Sequence, residues 1–228
     1  MDRKSSRPRC YSLTMRRILL SLFALALPLA VGGAGQPVPQ RKIEFTPQQQ
    51  AGLAKVSTYL NSIHTLKSNF AQLGPQGQID QGTLYIEKPG RMRFEFQPPS
   101  SLLIVSTGGK VYVKNGRLNA VSRYDLSDTP LGILLNDDVN LLRNPAILDV
   151  EEQPGTLLVR ARTSTNRNQA NILLVFAYPQ IELRQWVVRD NQGGSTTVAL
   201  SGTQSGVTLS DDLFAVPVKT PVAAKPGG

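Results

Sequence analysis

Alternation of polar and apolar residues runs through most of this chain and constrains its fold more than any other feature. Residues 91–96 read RMRFEF, directly after a proline and a glycine. Successive side chains of a strand point to opposite sides of a sheet, so this segment is predicted to be a strand with one apolar face. That face must be covered, either by a filled core or by something that is not part of the protein.

Similar segments follow one another along the chain, separated by glycine, proline or asparagine. Because they are closely spaced and joined by short turns, we expect an antiparallel meander. Gly108-Gly109 and Asn115-Gly116 indicate hairpins, and the second is a favoured two-residue turn. The predicted strands are 68–73, 79–87, 91–97, 101–106, 110–114, 117–123, 147–151, 156–162, 171–177, 180–189 and 195–204.

One amphipathic helix is predicted before these strands, over 47–66. Thr46 is a typical N-cap, Pro47 suits the first helical position, and Gln49 completes a capping box. Apolar residues recur at spacings of three and four, which indicates a helix with one buried face. They are Leu53, Val56, Leu60 and Ile63.

The segment 129–145 departs from the strand pattern and predicts one or two short helices. It starts with Thr129-Pro130, a helix-start signal, and is rich in leucine. Gly132 and the polar cluster 136–138 are candidate breaks. A last docking segment is predicted at Leu213, Phe214 and Val216.

Together these elements predict a mostly β fold with helices, in the α+β class. About ten or eleven strands would form one large antiparallel sheet. An open sheet of that size tends to curl. Helices packed against the concave side would then enclose an interior, which is an unclosed β-barrel with a helical lid.

The N-terminal residues 1–35 are predicted to be a cleaved signal peptide rather than part of the fold. A basic pair, Arg16-Arg17, precedes an apolar run at 18–31, and small residues follow at 32–35. The alternative is a membrane anchor, but the run has 14 residues, whereas a bilayer span needs about 20. Met15 is an alternative start.

Removal of this leader changes the charge of the chain. The rest keeps 19 basic and 15 acidic residues, a net charge near +4 instead of +9. These basic residues are scattered, so a nucleic-acid partner is not predicted. The only cysteine, Cys10, lies in the leader, so burial rather than a disulfide must stabilise the predicted domain, 36–218. The tail 219–228 is predicted to be disordered.

The sequence carries little catalytic chemistry. His64 is the sole histidine, and no nucleophile motif accompanies it. Outside the leader the chain has one histidine and no cysteine, which disfavours a zinc site. We therefore predict no metal, no cofactor and no enzymatic activity, with an exported hydrolase as the enzyme alternative.

Four segments in order resemble the LolA family, the periplasmic carriers of outer-membrane lipoproteins. Phe70 with Gln72 matches the family's F-x-Q, Gly82 with Leu84 its G-x-L strand, and Lys88-Pro89 its basic-Pro position. The segments are LNSIHTLKSNFAQ (60–72), GTLYIEKPGRMRFEF (82–96), PPSSLLIVSTGGKVYV (98–113) and TPLGILL (129–135).

The resemblance implies a half-open β-barrel whose apolar cavity takes up acyl chains. It also implies the partners: acylated lipoproteins as cargo, an ATP-driven inner-membrane complex that releases them, and an outer-membrane acceptor. Such a carrier works in the periplasm, as a monomer on our prediction, and catalyses no covalent change.

The resemblance also suggests a site. The family commonly has an arginine before the proline that holds the lid closed, and here that position is Lys88, which lacks the arginine fork. We expect the cavity to be lined by Leu84, Ile86, Met92, Phe94 and Phe96. The lid is expected to contribute Leu131, Ile133, Leu134 and Leu135.

Three other interpretations stay open. Each of these apolar residues could pack into an ordinary filled core. The same half-barrel also serves lipid sensors of the RseB type, although these carry a second domain. A carrier of free lipids or glycolipids would have the same sequence features as a lipoprotein carrier.

Overall fold

Eleven strands form one antiparallel sheet in this computed structural model, which describes residues 43–162, 171–190 and 192–218. They are Thr65–Leu73 (β1), Ile79–Glu87 (β2), Arg91–Phe96 (β3), Leu102–Thr107 (β4), Lys110–Asn115 (β5), Ala120–Asp125 (β6), Ile147–Gln153 (β7), Thr156–Arg162 (β8), Asn171–Ala177 (β9), Glu182–Arg189 (β10) and Ser195–Ser205 (β11). Their order is β6-β5-β4-β3-β2-β1-β11-β10-β9-β8-β7.

This order makes β6 and β7 the two edges of the sheet, so the sheet is not closed into a barrel. Chain neighbours pair along each half, and the first strand pairs with the last, β1 with β11. The predicted class, an open antiparallel sheet with few helices, is confirmed. The predicted signal peptide 1–35 and the predicted tail 219–228 lie outside the described residues.

One face of the sheet carries the core. In β3 the alternation of the sequence becomes an alternation of burial, with Met92, Phe94 and Phe96 buried between partly exposed neighbours. The inward residues of the other core-forming strands join the same apolar cluster. Burial of this face is the main stabilising contribution, at about 25 cal/mol for each Å² of apolar surface removed from water.

A helix, Pro47–Ser62 (α1), packs against this cluster through Leu53, Val56 and Leu60. The predicted capping box is present. The Thr46 hydroxyl accepts a hydrogen bond from the Gln49 backbone N–H, and the Gln49 side chain accepts one from the Thr46 N–H at 2.9 Å. Local chemistry therefore sets the first turn of α1.

The predicted end of this helix, at residue 66, is wrong, and so is the predicted start of β1 at residue 68. The helix ends at Ser62, and β1 begins at Thr65. Thr65 and Leu66 pair with Glu87 and Ile86 of β2. The sequence pattern alone would continue the helix through these two residues, but their pairing with β2 makes them part of a strand instead.

Both predicted hairpins are confirmed, but the second has a longer connection than the predicted two-residue turn. Gly108 and Gly109 join β4 to β5 with φ of 56° and 72°, the left-handed values that a type I′ turn requires. The β5–β6 loop instead contains residues 116–119, because the Asn115 side chain accepts a hydrogen bond from the Leu118 N–H. β6 therefore begins at residue 120 rather than 117.

The segment between β6 and β7 contains short helices, as predicted: two 3-10 helices, Leu126–Asp128 and Leu141–Arg143, flank an α-helix, Gly132–Leu135 (α2). The expected helix start at Thr129-Pro130 is wrong, since the N-cap of α2 is Leu131. The Thr129 hydroxyl instead donates to the Leu126 carbonyl and closes the preceding turn. Asn136 is the C-cap, so the polar cluster does end α2.

The C-terminal segment docks on the outer face of β3 and β4 through a 3-10 helix, Asp211–Phe214. Phe214 is 3% exposed, and the Arg91 guanidinium lies 4.6 Å from its ring centre. Arg93 donates to the Leu213 carbonyl at 3.2 Å. The docking prediction is confirmed for Phe214 but wrong for Val216, which is 48% exposed.

Candidate functional site

The inner faces of β2 and β3 form a continuous apolar surface, here called the wall. Leu84 lies directly beside Phe94 across the two strands, and Ile86 lies beside Met92. With Phe96, these residues are between 0% and 7% exposed. The structure therefore brings together the five residues that the sequence suggested for the cavity lining.

The four residues suggested for a lid cover the same apolar cluster. Ile133, Leu134 and Leu135 of α2 are buried, and Leu131 packs against the cluster while partly exposed. The wall and α2 thus belong to one set of packed side chains.

A three-residue turn, Lys88–Gly90, joins β2 to β3 and contacts both helical parts of the cover. The Lys88 backbone N–H donates to the His64 carbonyl at 2.8 Å. The Lys88 Nζ donates to the Leu60 carbonyl of α1 at 2.6 Å. The Gly90 N–H donates to the Leu135 carbonyl of α2 at 2.9 Å. One turn of the wall therefore holds the C-terminal ends of α1 and α2.

The position of the Lys88 ammonium group is electrostatically favourable. Leu60 belongs to the last turn of α1, where the helix carbonyls carry partial negative charge and few intrahelical partners. Burial nevertheless lowers the pKa of Lys88, because the charged form loses water, while the nearby Asp137 carboxylate opposes this and raises it.

Polar side chains of α1 hold the chain that follows α2, which sequence reasoning did not anticipate. The Asn61 amide donates to the Val139 carbonyl at 3.1 Å and accepts from the Val139 N–H at 2.8 Å. The Ser57 hydroxyl accepts from the Leu141 N–H at 3.1 Å. The available signal was weak: a polar residue beside the apolar stripe of α1, within the LNSIHT segment.

Sequence reasoning also missed two aromatic residues that meet the wall. Phe70 of β1 lies 5.0 Å from both Phe94 and Phe96, measured between ring centres, at edge-to-face angles. Trp186 of β10 lies 6.1 Å from Phe94. Phe70 had a signal in its F-x-Q motif, whereas nothing in the local sequence of Trp186 relates it to β3.

An open depression of about 540 Å³ in the surface is separate from the wall. It crosses β11, β1 and β2 and is lined largely by small and carboxamide side chains, and none of the nine suggested cavity and lid residues lines it. The residues are Asn69, Phe70, Ala71, Gln81, Gly82, Gln97, Ala199, Leu200 and Ser201. Its Phe70 and Gly82 adjoin Phe96, at the end of the wall.

Within the described part of the chain, no helix is long and apolar enough to cross a membrane. No group of three or more His, Cys, Asp and Glu side chains gathers there in a metal-binding arrangement.

An open antiparallel sheet whose apolar inner face is covered by helices defines a half-barrel. The profile of the family described as outer membrane lipoprotein carrier protein LolA matches residues 61–217. The chain belongs to this family, and the resemblance found in the sequence is confirmed.

Individual relatives are similar over most of their length. The chain is 26% identical over 201 residues to the outer-membrane lipoprotein carrier protein of Methylococcus capsulatus, covering 84% of this chain and 91% of that protein. It is 27% identical over 178 residues to the protein of the same name from Nitrosomonas europaea, covering 74% and 85%. A crystal structure of a LolA superfamily protein from N. europaea is also similar, with a TM-score of 0.41 and 13% identity over 73% of this chain and 97% of that one.

The lowered pKa of Lys88 predicts how stability depends on pH. Between that lowered value and the ordinary lysine value of about 10.4, the folded protein binds fewer protons than the unfolded chain. The free energy of unfolding contributed by this group therefore rises with pH through that window. Lys88→Arg keeps its charge throughout, so the wild type should gain stability relative to this variant as the pH rises towards the ordinary lysine pKa of about 10.4.

Urea unfolding of both proteins at several pH values measures this difference. The other titrating groups are the same in the two proteins, so their contributions to the pH dependence cancel when the two free energies of unfolding are subtracted. A stability difference that stays constant over the alkaline range contradicts the prediction.

Proposed function

We propose that this protein carries lipoproteins through the periplasm, holding their acyl chains against the wall. It receives them from an ATP-driven complex of the inner membrane and passes them to an acceptor at the outer membrane. It performs no covalent chemistry. The observation that carries the proposal is the apolar wall packed in one cluster with a short helix, in a member of the LolA family.

The periplasmic location rests on the predicted signal peptide and on the names of the relatives. The cargo class follows from the same names together with the wall. Exposure of an acyl chain to water costs about 0.8 kcal/mol per methylene, so a lipid anchor needs an apolar partner to cross the periplasm.

A carrier must also release its cargo, and the cover of the wall supplies a means. In the conformation described here α2 occupies the wall, so the bound chain and α2 compete for the same apolar surface. Uptake then requires α2 to separate from β2 and β3 and the C-terminal end of α1 to separate from the Lys88–Gly90 turn. Return of both to the wall favours release. The free energy gained when α2 packs on the wall thus offsets part of the free energy of binding of the acyl chain.

The Lys88–Gly90 turn acts as the latch of this cover. Its hydrogen bonds join α1 and α2 to the wall only when the cover is closed. Lysine donates as a point charge without the fork of an arginine, so the Lys88 side chain contributes a single hydrogen bond to the closed state, at the Leu60 carbonyl.

Recovery of a natural ligand tests the function directly. Protein purified from the periplasm in its lid-open, cargo-loaded form should yield acylated lipoproteins by mass spectrometry. Recovery of free phospholipid or glycolipid instead would support the alternative, a carrier or sensor of free lipids, and would contradict the lipoprotein proposal.

Met92 tests the wall. Met92→Gln places an amide on the apolar surface and should reduce uptake of a triacylated lipopeptide at least tenfold, whereas the similar-sized Met92→Leu should retain it. Thr83→Gln places the same amide side chain on the opposite face of the sheet, and this variant should bind the lipopeptide normally. Uptake is measured by fluorescence of a labelled lipopeptide, with thermal unfolding to confirm folding. Normal uptake by folded Met92→Gln would remove Met92 from the site.

Lys88 tests the latch. Lys88→Leu removes the bond to the Leu60 carbonyl, worth about 1 kcal/mol, and so destabilises the closed state. The variant should bind lipopeptide about fivefold more tightly and release it correspondingly more slowly, while Lys88→Arg should release it as fast as the wild type or faster. Stopped-flow transfer to acceptor vesicles measures release. Wild-type kinetics for Lys88→Leu would show that Lys88 is not a latch.

A further inference from the structure

Four aromatic side chains form a continuous row across the inner face of the half-barrel, here called the aromatic bar. The bar consists of Phe96, Phe70, Phe94 and Trp186. Phe70 contacts Phe94 and Phe96 edge-to-face at 5.0 Å, and Phe94 contacts Trp186 at 6.1 Å and 75°. All four are between 2% and 7% exposed. The row therefore joins β3 to β10, four strands apart in the sheet order.

Gly82 makes this row possible. It lies on β2 directly between Phe70 of β1 and Phe96 of β3, as the partner of both. Strands two positions apart are separated by about 9.5 Å, yet these two rings are 5.0 Å apart. They lean together over Gly82, where an added Cβ would lie 2.7 Å from the Phe70 ring. The same Cβ would also lie too close to the Glu95 carbonyl of β3, so both the backbone of β3 and the Phe70 ring leave room only for glycine at this position of the G-x-L motif.

The bar starts at Phe94, halfway along the wall, and ends at Phe96, at the opposite end of the wall from the latch. Met92 and Ile86 are nearest to the Lys88–Gly90 turn, Phe94 and Leu84 follow, and Phe96 and Gly82 are farthest. With a rise of about 3.3 Å per residue, Phe96 is roughly 13 Å beyond Met92 along β3. A chain that enters where α2 separates from the wall would meet Met92 first and the bar last.

The bar also differs from the lid in how it is held. α2 is a single turn of four residues between two short 3-10 helices. The rings of the bar, by contrast, project from β1, β3 and β10 inside the hydrogen-bonded sheet. Separation of α2 from the wall leaves these strands paired, so the bar stays in place when the lid opens.

We propose that the aromatic bar is the floor of the acyl cavity and sets the longest stretch of acyl chain that the protein can bury. This inference rests on the proposed carrier function and adds to it a determinant of chain-length specificity. Methylenes beyond the floor stay in water and add nothing to affinity.

The test uses peptides of one sequence with a single N-terminal acyl chain of increasing length, from eight to eighteen carbons. Affinity of the wild type should rise by about fourfold per buried methylene and then stop rising at a limiting length. Phe96→Ala and Phe70→Ala remove a ring from the bar, so the rise should continue to longer chains. Isothermal titration calorimetry gives the affinity at each length.

Phe176→Ala is the matched control, since Phe176 is a fully buried residue of the same cluster whose ring packs edge-to-face on Tyr59 of α1. Its limiting length should equal that of the wild type. If an alanine variant fails to fold, Phe96→Leu keeps part of the volume and should shift the limit in the same direction by a smaller amount.

The possible results separate the two proposals. An unchanged limiting length in folded Phe96→Ala and Phe70→Ala, or a wild type without a limit up to eighteen carbons, overturns the floor and leaves the carrier function intact. Wild-type protein that binds none of the acylated peptides overturns both.

Discussion

The inner face of an open, curved sheet cannot be left in water, and the rest of this structure depends on that constraint. The sheet has eleven strands in the described residues, and its edges, β6 and β7, do not pair. Its apolar face is therefore covered by other elements, α1 and α2, rather than by closure of the barrel. A cover made of separate helices can be moved, whereas a closed barrel wall cannot.

The interactions that hold the cover differ in kind from those inside the sheet. Strand pairing and the aromatic bar are buried and extensive. α2 is held by three buried side chains of a single helical turn and by a few hydrogen bonds at its ends, from Gly90 to Leu135 and from α1 to the chain at Val139. Elements that move for function come from the less stable part of a protein, because their opening must cost little free energy. The proposed exchange of α2 for an acyl chain uses this difference.

Much of the fold could be predicted because its signals are local. The alternation in residues 91–96 became β3, and the capping box at Thr46 and Gln49 set the start of α1. The errors came where a distant partner overrode a local preference. Residues 65 and 66 continue a helical pattern but pair with β2, and Asn115 closes a longer loop through its side chain. A local sequence pattern does not show which distant residue will pair with a given strand.

The sequence by itself determined which residues must be buried, the number and direction of the strands, and the family. A period-two pattern with short turns leaves little choice of architecture, since one face of every strand must leave water. Only the tertiary structure decided what covers that face. It set the reach of Lys88 to the Leu60 carbonyl and the support of α2 by Gly90. It also brought Phe70 and Phe96 together over Gly82, and Trp186 onto Phe94. These contacts join residues far apart in the chain, and their distances depend on how the sheet curves.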